Sequence, residues 1–201
     1  MSNLIKLNLG CGQNFKSGYI NVDKFAGEGV DVVCDLEEPF PFKTDSVEEV
    51  LLIHTLEHIG STTDKFCGFM KELYRVSANG AKIRINVPHP RHDDFINDPT
   101  HVRIITPGVL ELFSKKCCKI WKDGGFSNSP LAIYYDVDFD ITTIRIDPEP
   151  TAVSRAIKAL NFNPANLNKE QNEKVYDRLK EMSVSELNVI KEMYIELKVV
   201  K

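Results

Sequence analysis

Apolar residues fall along this chain in short runs rather than long ones, and the runs end at turn residues. Leu4 to Leu9 is crowded with apolar side chains and breaks at Gly10-Cys11-Gly12, the pattern of a buried strand entering a tight turn. Tyr19 to Val22 and Val30 to Val33 are two further short runs, each followed closely by an aspartate, Asp23 and Asp35. Glu49 to Ile53 gives a fourth run, and Ala81 to Val87 a fifth that Pro88 and Pro90 stop. Between the last two, Phe66, Phe69, Met70, Leu73 and Val76 recur at helical spacing. Ser61 and Asp64 read as its capping box, and Asn79-Gly80 as its C-terminal stop. Thr106-Pro107 opens a second helix carrying Val109, Leu110 and Phe113. Short apolar strands alternating with helices predict a mostly parallel sheet in an α/β fold.

The last third changes period. From Tyr135 to Ile146, Val137, Phe139 and Ile141 alternate with Asp136, Asp138 and Asp140, and Met193, Ile195, Leu197 and Val199 alternate again near the end. These predict two half-exposed strands, antiparallel at one edge of the sheet, with the three aspartates on a solvated face. Between them Val153, Ala156, Ile157 and Leu160 mark one helix, and Val175, Leu179 and Met182 another. The expectation is a single domain over residues 1–201 with a helical insertion at about 151–185.

Composition narrows the function classes. The chain has 201 residues, 42% hydrophobic and 27% charged, which is ordinary for a globular protein with a sizeable core. A formal net charge of -4 gives no basic footprint for nucleic acid or an anionic membrane surface. No stretch approaches the ~18 apolar residues of a membrane span, and the start has no signal-peptide hydrophobic core. Five cysteines without CxxC spacing fit reduced thiols better than a disulfide framework or a zinc knuckle. The expected location is the cytoplasm.

The candidate chemistry sits at the strand ends. Gly10 and Gly12 let the backbone turn sharply and approach a ligand where a side chain would collide. Asp23, closing the next run, can accept bonds from both hydroxyls of a ribose, and Asp35-Leu36 is placed to meet an adenine edge. All five histidines, His54, His58, His89, His92 and His101, fall after the fourth and fifth runs. Ligands of open α/β sheets bind outside such carboxyl ends. His54-Thr55-Leu56-Glu57-His58 matches an H-x-x-E-H zinc pattern, but that pattern needs one helix and His54 closes a strand, so no metal ligand is assigned. His89, His92, Asp93, Asp94, Asp98 and His101 form a polar loop open to three readings: solvated loop, acceptor site or metal site.

Several of these segments in this order resemble one family. "LNLGCG…GYINVD…VDVVCDLEEPFPF…EVLLIHTLEHI…ELYRVSANGAKIRINVPH…DPTHVRIITP", from about Leu4 to Phe113, looks like the class I S-adenosylmethionine-dependent methyltransferases, above all small bacterial and phage members of uncertain substrate. The terminal IELKVVK also resembles the family. The resemblance implies a Rossmann-like, doubly wound seven-stranded sheet with its last strand antiparallel. It implies that Gly10, Cys11 and Gly12 face the methionine part of S-adenosylmethionine, that Asp23 holds the ribose, that Asp35 and Leu36 border the adenine, and that His54 lies beside the transferring methyl. Two positions depart from the pattern: Asn8 where many members have an acid, and Asn14 where a third glycine is common.

The function expected on this basis is methyl transfer, leaving S-adenosylhomocysteine, to a small-molecule or glycan-type hydroxyl or amine. A hydroxyl acceptor needs its proton withdrawn; His101 is the expected base, Asp98 its orienter and His89 the reserve. The rival readings are a non-catalytic S-adenosylmethionine-binding module and a metal hydrolase using the histidines from His54 to His101.

Overall fold

The computed structural model describes residues 4–201. The apolar runs become strands β1 (Ile5–Leu9), β2 (Ile20–Asp23), β3 (Val32–Val33), β4 (Val47–Ile53) and β5 (Ser77–Pro88). Helix α1 (Thr63–Val76) joins β4 to β5, and the short helices α2 (Asp93–Ile96), α3 (Pro107–Glu111), α4 (Lys115–Asp123) and α5 (Leu131–Tyr134) precede β6 (Phe139–Pro148). Helices α6 (Pro150–Ala159) and α7 (Lys169–Ser185) form the predicted insertion before β7 (Ile190–Val199).

These strands make one seven-stranded sheet in the order β3-β2-β1-β4-β5-β7-β6. β1 to β5 pair in parallel, while β7 runs antiparallel to both β5 and β6. The order reverses between β1 and β4, so the carboxyl ends of those strands flank a topological switch point. That is where open α/β sheets bind their ligands.

Burial explains the strand signal. Leu7, Leu9, Val50, Leu52, Ile83 and Ile85 are wholly buried in central strands, whose runs are apolar because both faces are covered. α1 lays Phe66, Phe69, Met70 and Leu73 against the sheet, and the Phe69 ring meets Phe40 edge-on. Its boundaries differ from the sequence reading. Thr62, not Ser61, caps the helix by accepting from the Lys65 amide, and the helix stops at Ser77. Asn79-Gly80 instead lies within β5, whose pairing with β4 is irregular near Val47. The Thr106-Pro107 start of α3 is found as expected, the threonine hydroxyl accepting from the Val109 amide. α6 and α7 bury Ala152, Ala156, Ile157, Val175, Leu179 and Met182 in an apolar cluster of their own, joined by Val189 and Ile190.

Among the described residues no helix intervenes between β1 and β2, and a side-chain network does its work. Asn8, 2% exposed, donates through Nδ2 to the Asn14 carbonyl and to Asn21 Oδ1, both at 2.9 Å. Asn21 Oδ1 also accepts from the Lys16 amide, and Asp31 accepts from the Asn21 amide. An acid at position 8 could not donate, which accounts physically for asparagine where many of the resembling proteins have a carboxylate. Asn8→Asp should therefore destabilise the fold by about 1–3 kcal/mol, the scale of leaving buried polar groups unpaired. Urea denaturation checks this, and an unchanged midpoint would show that Asn8 does not hold the loop.

Candidate active site at the carboxyl ends of the strands

β1 ends in a turn that requires glycine. Gly10 has φ +66°, and a Cβ there would collide with the Thr55 side chain. Thr55 follows β4, and its buried hydroxyl donates to the Leu9 carbonyl at 3.0 Å. The two strand ends that flank the switch point are thus tied directly together. Gly12 also has positive φ, at +50°, but its missing Cβ would meet nothing within 4 Å. Cys11 between them is buried, and its amide bonds the Val22 carbonyl. Burial, followed by the nearby Asp23 carboxylate, pushes the Cys11 thiol pKa up.

Asp23 leans back over this turn. Its Oδ2 accepts from the Gly12 amide at 2.8 Å and its Oδ1 from the Phe25 amide at 3.0 Å, so it joins the end of β2 to the glycine turn. Phe25 beside it is 75% exposed, an aromatic face that the sequence reading passed over. Asp35 bonds the Glu37 amide and pairs with Lys24 at 2.8 Å. The hydrogen bond from Lys24 chiefly holds its carboxyl below the usual range. Leu36, expected at an adenine edge, has its side chain buried in the core cluster.

β4 ends at His54, whose φ of +50° is unusual for a residue with a side chain. Its Nδ1 lies 3.5 Å from Glu57 Oε1 and its Nε2 3.4 Å from Glu192 Oε1. Neighbouring Glu57 first, and then Glu192, raises the imidazole pKa against the opposing effect of burial. Asn86 from β5 donates to the other Glu192 oxygen at 2.8 Å.

The loop histidines separate into two sets. His89 accepts the Arg91 amide, and burial chiefly lowers its pKa. His92, 7% exposed, caps α2 by accepting the Asp94 amide and reaches Glu149 of the insertion at 3.5 Å. His101 travels elsewhere. The Val102 and Arg103 amides both donate to the Glu57 carbonyl, and Arg103 also bonds the Gly60 carbonyl. This clamp lays residues 100–103 on a 3₁₀ turn, Leu56–His58, so that the His101 and His58 rings stand 4.6 Å apart. The Phe95 carbonyl lies 2.9 Å from His101 Nδ1, while Asp98, the expected orienter, bonds Thr100 and lies 3.8 Å from His101 Nε2. His54 and His58 do not share a helix, as the H-x-x-E-H zinc pattern would need.

The insertion borders this side of the sheet. Asn188, just before β7, donates its amide to the Arg91 carbonyl and accepts from the Asp93 amide through Oδ1. A separate concavity of about 680 Å³ lies between α4 and α5, lined by Trp121, Phe126 and Ile133 among others. It holds none of the glycine turn, Asp23, Asp35 or His54. It lies toward the amino end of β6, since the Lys115 amide on its wall bonds Asp138 just before that strand.

The turn geometry separates the two glycines. Gly10→Ala should cost clearly more stability than Gly12→Ala, because both strain a left-handed backbone by about 1–3 kcal/mol but only the first drives a methyl into Thr55. Equal losses in chemical denaturation would mean that Thr55 does not shape the turn.

No protein-family model matches the chain, and no curated protein matches it in sequence. Solved structures are similar in fold. An S-adenosylmethionine-dependent methyltransferase from Archaeoglobus fulgidus matches with a TM-score of 0.57 at 17% identity, over 98% of this chain and 86% of its own. The YcgJ protein of Bacillus subtilis matches at 0.51 with 12% identity, over 100% and 93%. The [4+2]-cyclase SpnF matches at 0.52 with 12% identity, over 99% and 76%. With its strand order, its antiparallel β7 and its glycine turn at the switch point, the chain has the fold of the class I S-adenosylmethionine-dependent methyltransferases.

Proposed function

We propose that this chain binds S-adenosylmethionine across the carboxyl ends of β1, β2 and β4 and transfers its methyl group to a small acceptor. The observation that carries the proposal is the pairing of Asp23 with the Gly10–Gly12 turn. A carboxylate at the end of β2 is held 2.8 Å from the turn amide at the end of β1, and it keeps further lone pairs for the two ribose hydroxyls. The glycine turn leaves room for the methionine part, and exposed Phe25 offers a flat apolar face near the purine. Lys24 and Asp35 border that end.

Methyl transfer is an in-line displacement. An acceptor lone pair attacks the methyl carbon as the carbon–sulfur bond breaks, and the sulfonium becomes a neutral thioether. The chain's contribution is chiefly to hold acceptor, methyl and sulfur in line, a proximity effect. The acceptor side is the space near His54 and the loop after β5, which the insertion borders. An amine passes its proton to water, whereas a hydroxyl needs it withdrawn. Of the three groups expected there, His101 alone keeps an imidazole nitrogen with a free lone pair: the Phe95 carbonyl can only accept, so Nδ1 carries the proton. In neutral His89 the Nδ1 lone pair is taken by the Arg91 amide.

Asp23→Ala should weaken S-adenosylhomocysteine binding by about 1.5–3 kcal/mol, the scale of charge-assisted hydrogen bonds to the ribose. Isothermal titration calorimetry on folded protein reads this, with Asp23→Asn as a companion that retains an acceptor for the Gly12 amide. Wild-type affinity in both variants would remove Asp23 from the cofactor site.

A further inference from the structure

Glu57 is unusually placed for a carboxylic acid. It is 1% exposed, and neither carboxylate oxygen has a hydrogen-bond partner. A buried polar group without partners costs stability, and a buried unpaired carboxylate costs far more, so such groups pair or bind a cation. The His54 ring, 3.5 Å from Oε1, is its ion-pair neighbour but makes no well-formed hydrogen bond, and Oε2 is left without a partner.

Two further imidazoles lie close to it. One ligating atom each from Glu57, His58 and His101 lies within 4.8 Å of the others. Both rings have their tautomers fixed from behind. His101 Nδ1 faces the Phe95 carbonyl at 2.9 Å, so it donates. His58 Nδ1 faces the Thr100 carbonyl at 3.2 Å and the Thr100 hydroxyl at 3.0 Å. That hydroxyl spends its own proton on Asp98 Oδ1 at 2.6 Å, so His58 Nδ1 also donates. Each ring therefore keeps its lone pair on Nε2. A histidine that gives its far N–H to a carbonyl is oriented as metal-binding histidines usually are.

We infer that Glu57, His58 and His101 form a site for a zinc-type divalent transition metal. Two imidazoles and one carboxylate are a ligand set that zinc and its first-row neighbours accept, with positions left for water or an oxygen ligand. Such an ion needs bond lengths of about 2.0–2.2 Å to each of the three atoms. The double hydrogen bond from Val102 and Arg103 to the Glu57 carbonyl is what delivers His101 to the site. The ion takes up the Nε2 lone pair that His101 offers an acceptor proton in the metal-free protein. The site stands on its own geometry and does not require the methyl-transfer reading.

The test is calorimetric titration of zinc into chelator-treated full-length protein. One equivalent should bind, and Glu57→Gln, His58→Ala and His101→Ala should each weaken it at least about 100-fold, since even outer-shell partners of metal ligands are worth 10–100-fold. Wild-type affinity in these variants would overturn the site. Because a variant can fail to fold, X-ray absorption on zinc-loaded wild type gives an independent readout. Two imidazoles with oxygen ligands support the site; sulfur from any of the five cysteines, or oxygen alone, overturns it. Titrating S-adenosylhomocysteine with and without zinc reads the cofactor proposal separately, so either can fail while the other stands.

Discussion

The structure turns on one hydrogen bond, from the Thr55 hydroxyl to the Leu9 carbonyl. It ties the end of β4 to the end of β1 at the point where the chain stops building one half of the sheet and starts the other. The close approach that it enforces leaves no room for a Cβ at residue 10 and fixes the left-handed turn. From that turn the Gly12 amide points to Asp23, and on the other side of Thr55 stand His54 and the 3₁₀ turn with Glu57 and His58. Thr55 thus separates two groups at one end of the sheet: the glycine turn with its Asp23 carboxylate over β1 and β2, and an imidazole-carboxylate group beyond β4.

Much of this was legible in the sequence because the signals are local. Leu7 and Leu9, then Gly10 and Gly12, announce a buried strand and a turn without reference to anything distant. The period-2 alternation around Phe139 and Ile195 announces strands with unequal faces, and the helical spacing of Phe66 to Val76 announces α1. The errors were local too: Ser61 and Thr62 both suit a cap, and only backbone geometry chooses between them.

What could not be read depends on long-range contacts. The β1–β2 loop needs no helix because Asn8, Asn21 and Asp31 cross-link it, a network of residues that look like ordinary loop polars in sequence. His101 lies far along the chain from Glu57 and His58, and they meet only because two backbone amides clamp onto the Glu57 carbonyl. Periodicity carries no information about such a clamp. The H-x-x-E-H segment did hold two of the three grouped residues, Glu57 and His58, with a strand-ending His54 in the remaining place.

The fold alone does not fix the reaction, since a [4+2]-cyclase shares it. The reading rests instead on the site: a carboxylate joined to a glycine turn at the switch point, and a histidine-rich loop bordered by α6 and α7. The most direct test of that reading is a crystal structure of the protein with S-adenosylhomocysteine. The account predicts the ribose hydroxyls on Asp23, the amino-acid part over Gly10–Gly12 and the sulfur turned toward His54. Ligand bound in the α4–α5 concavity, or no binding at millimolar concentration, would contradict it.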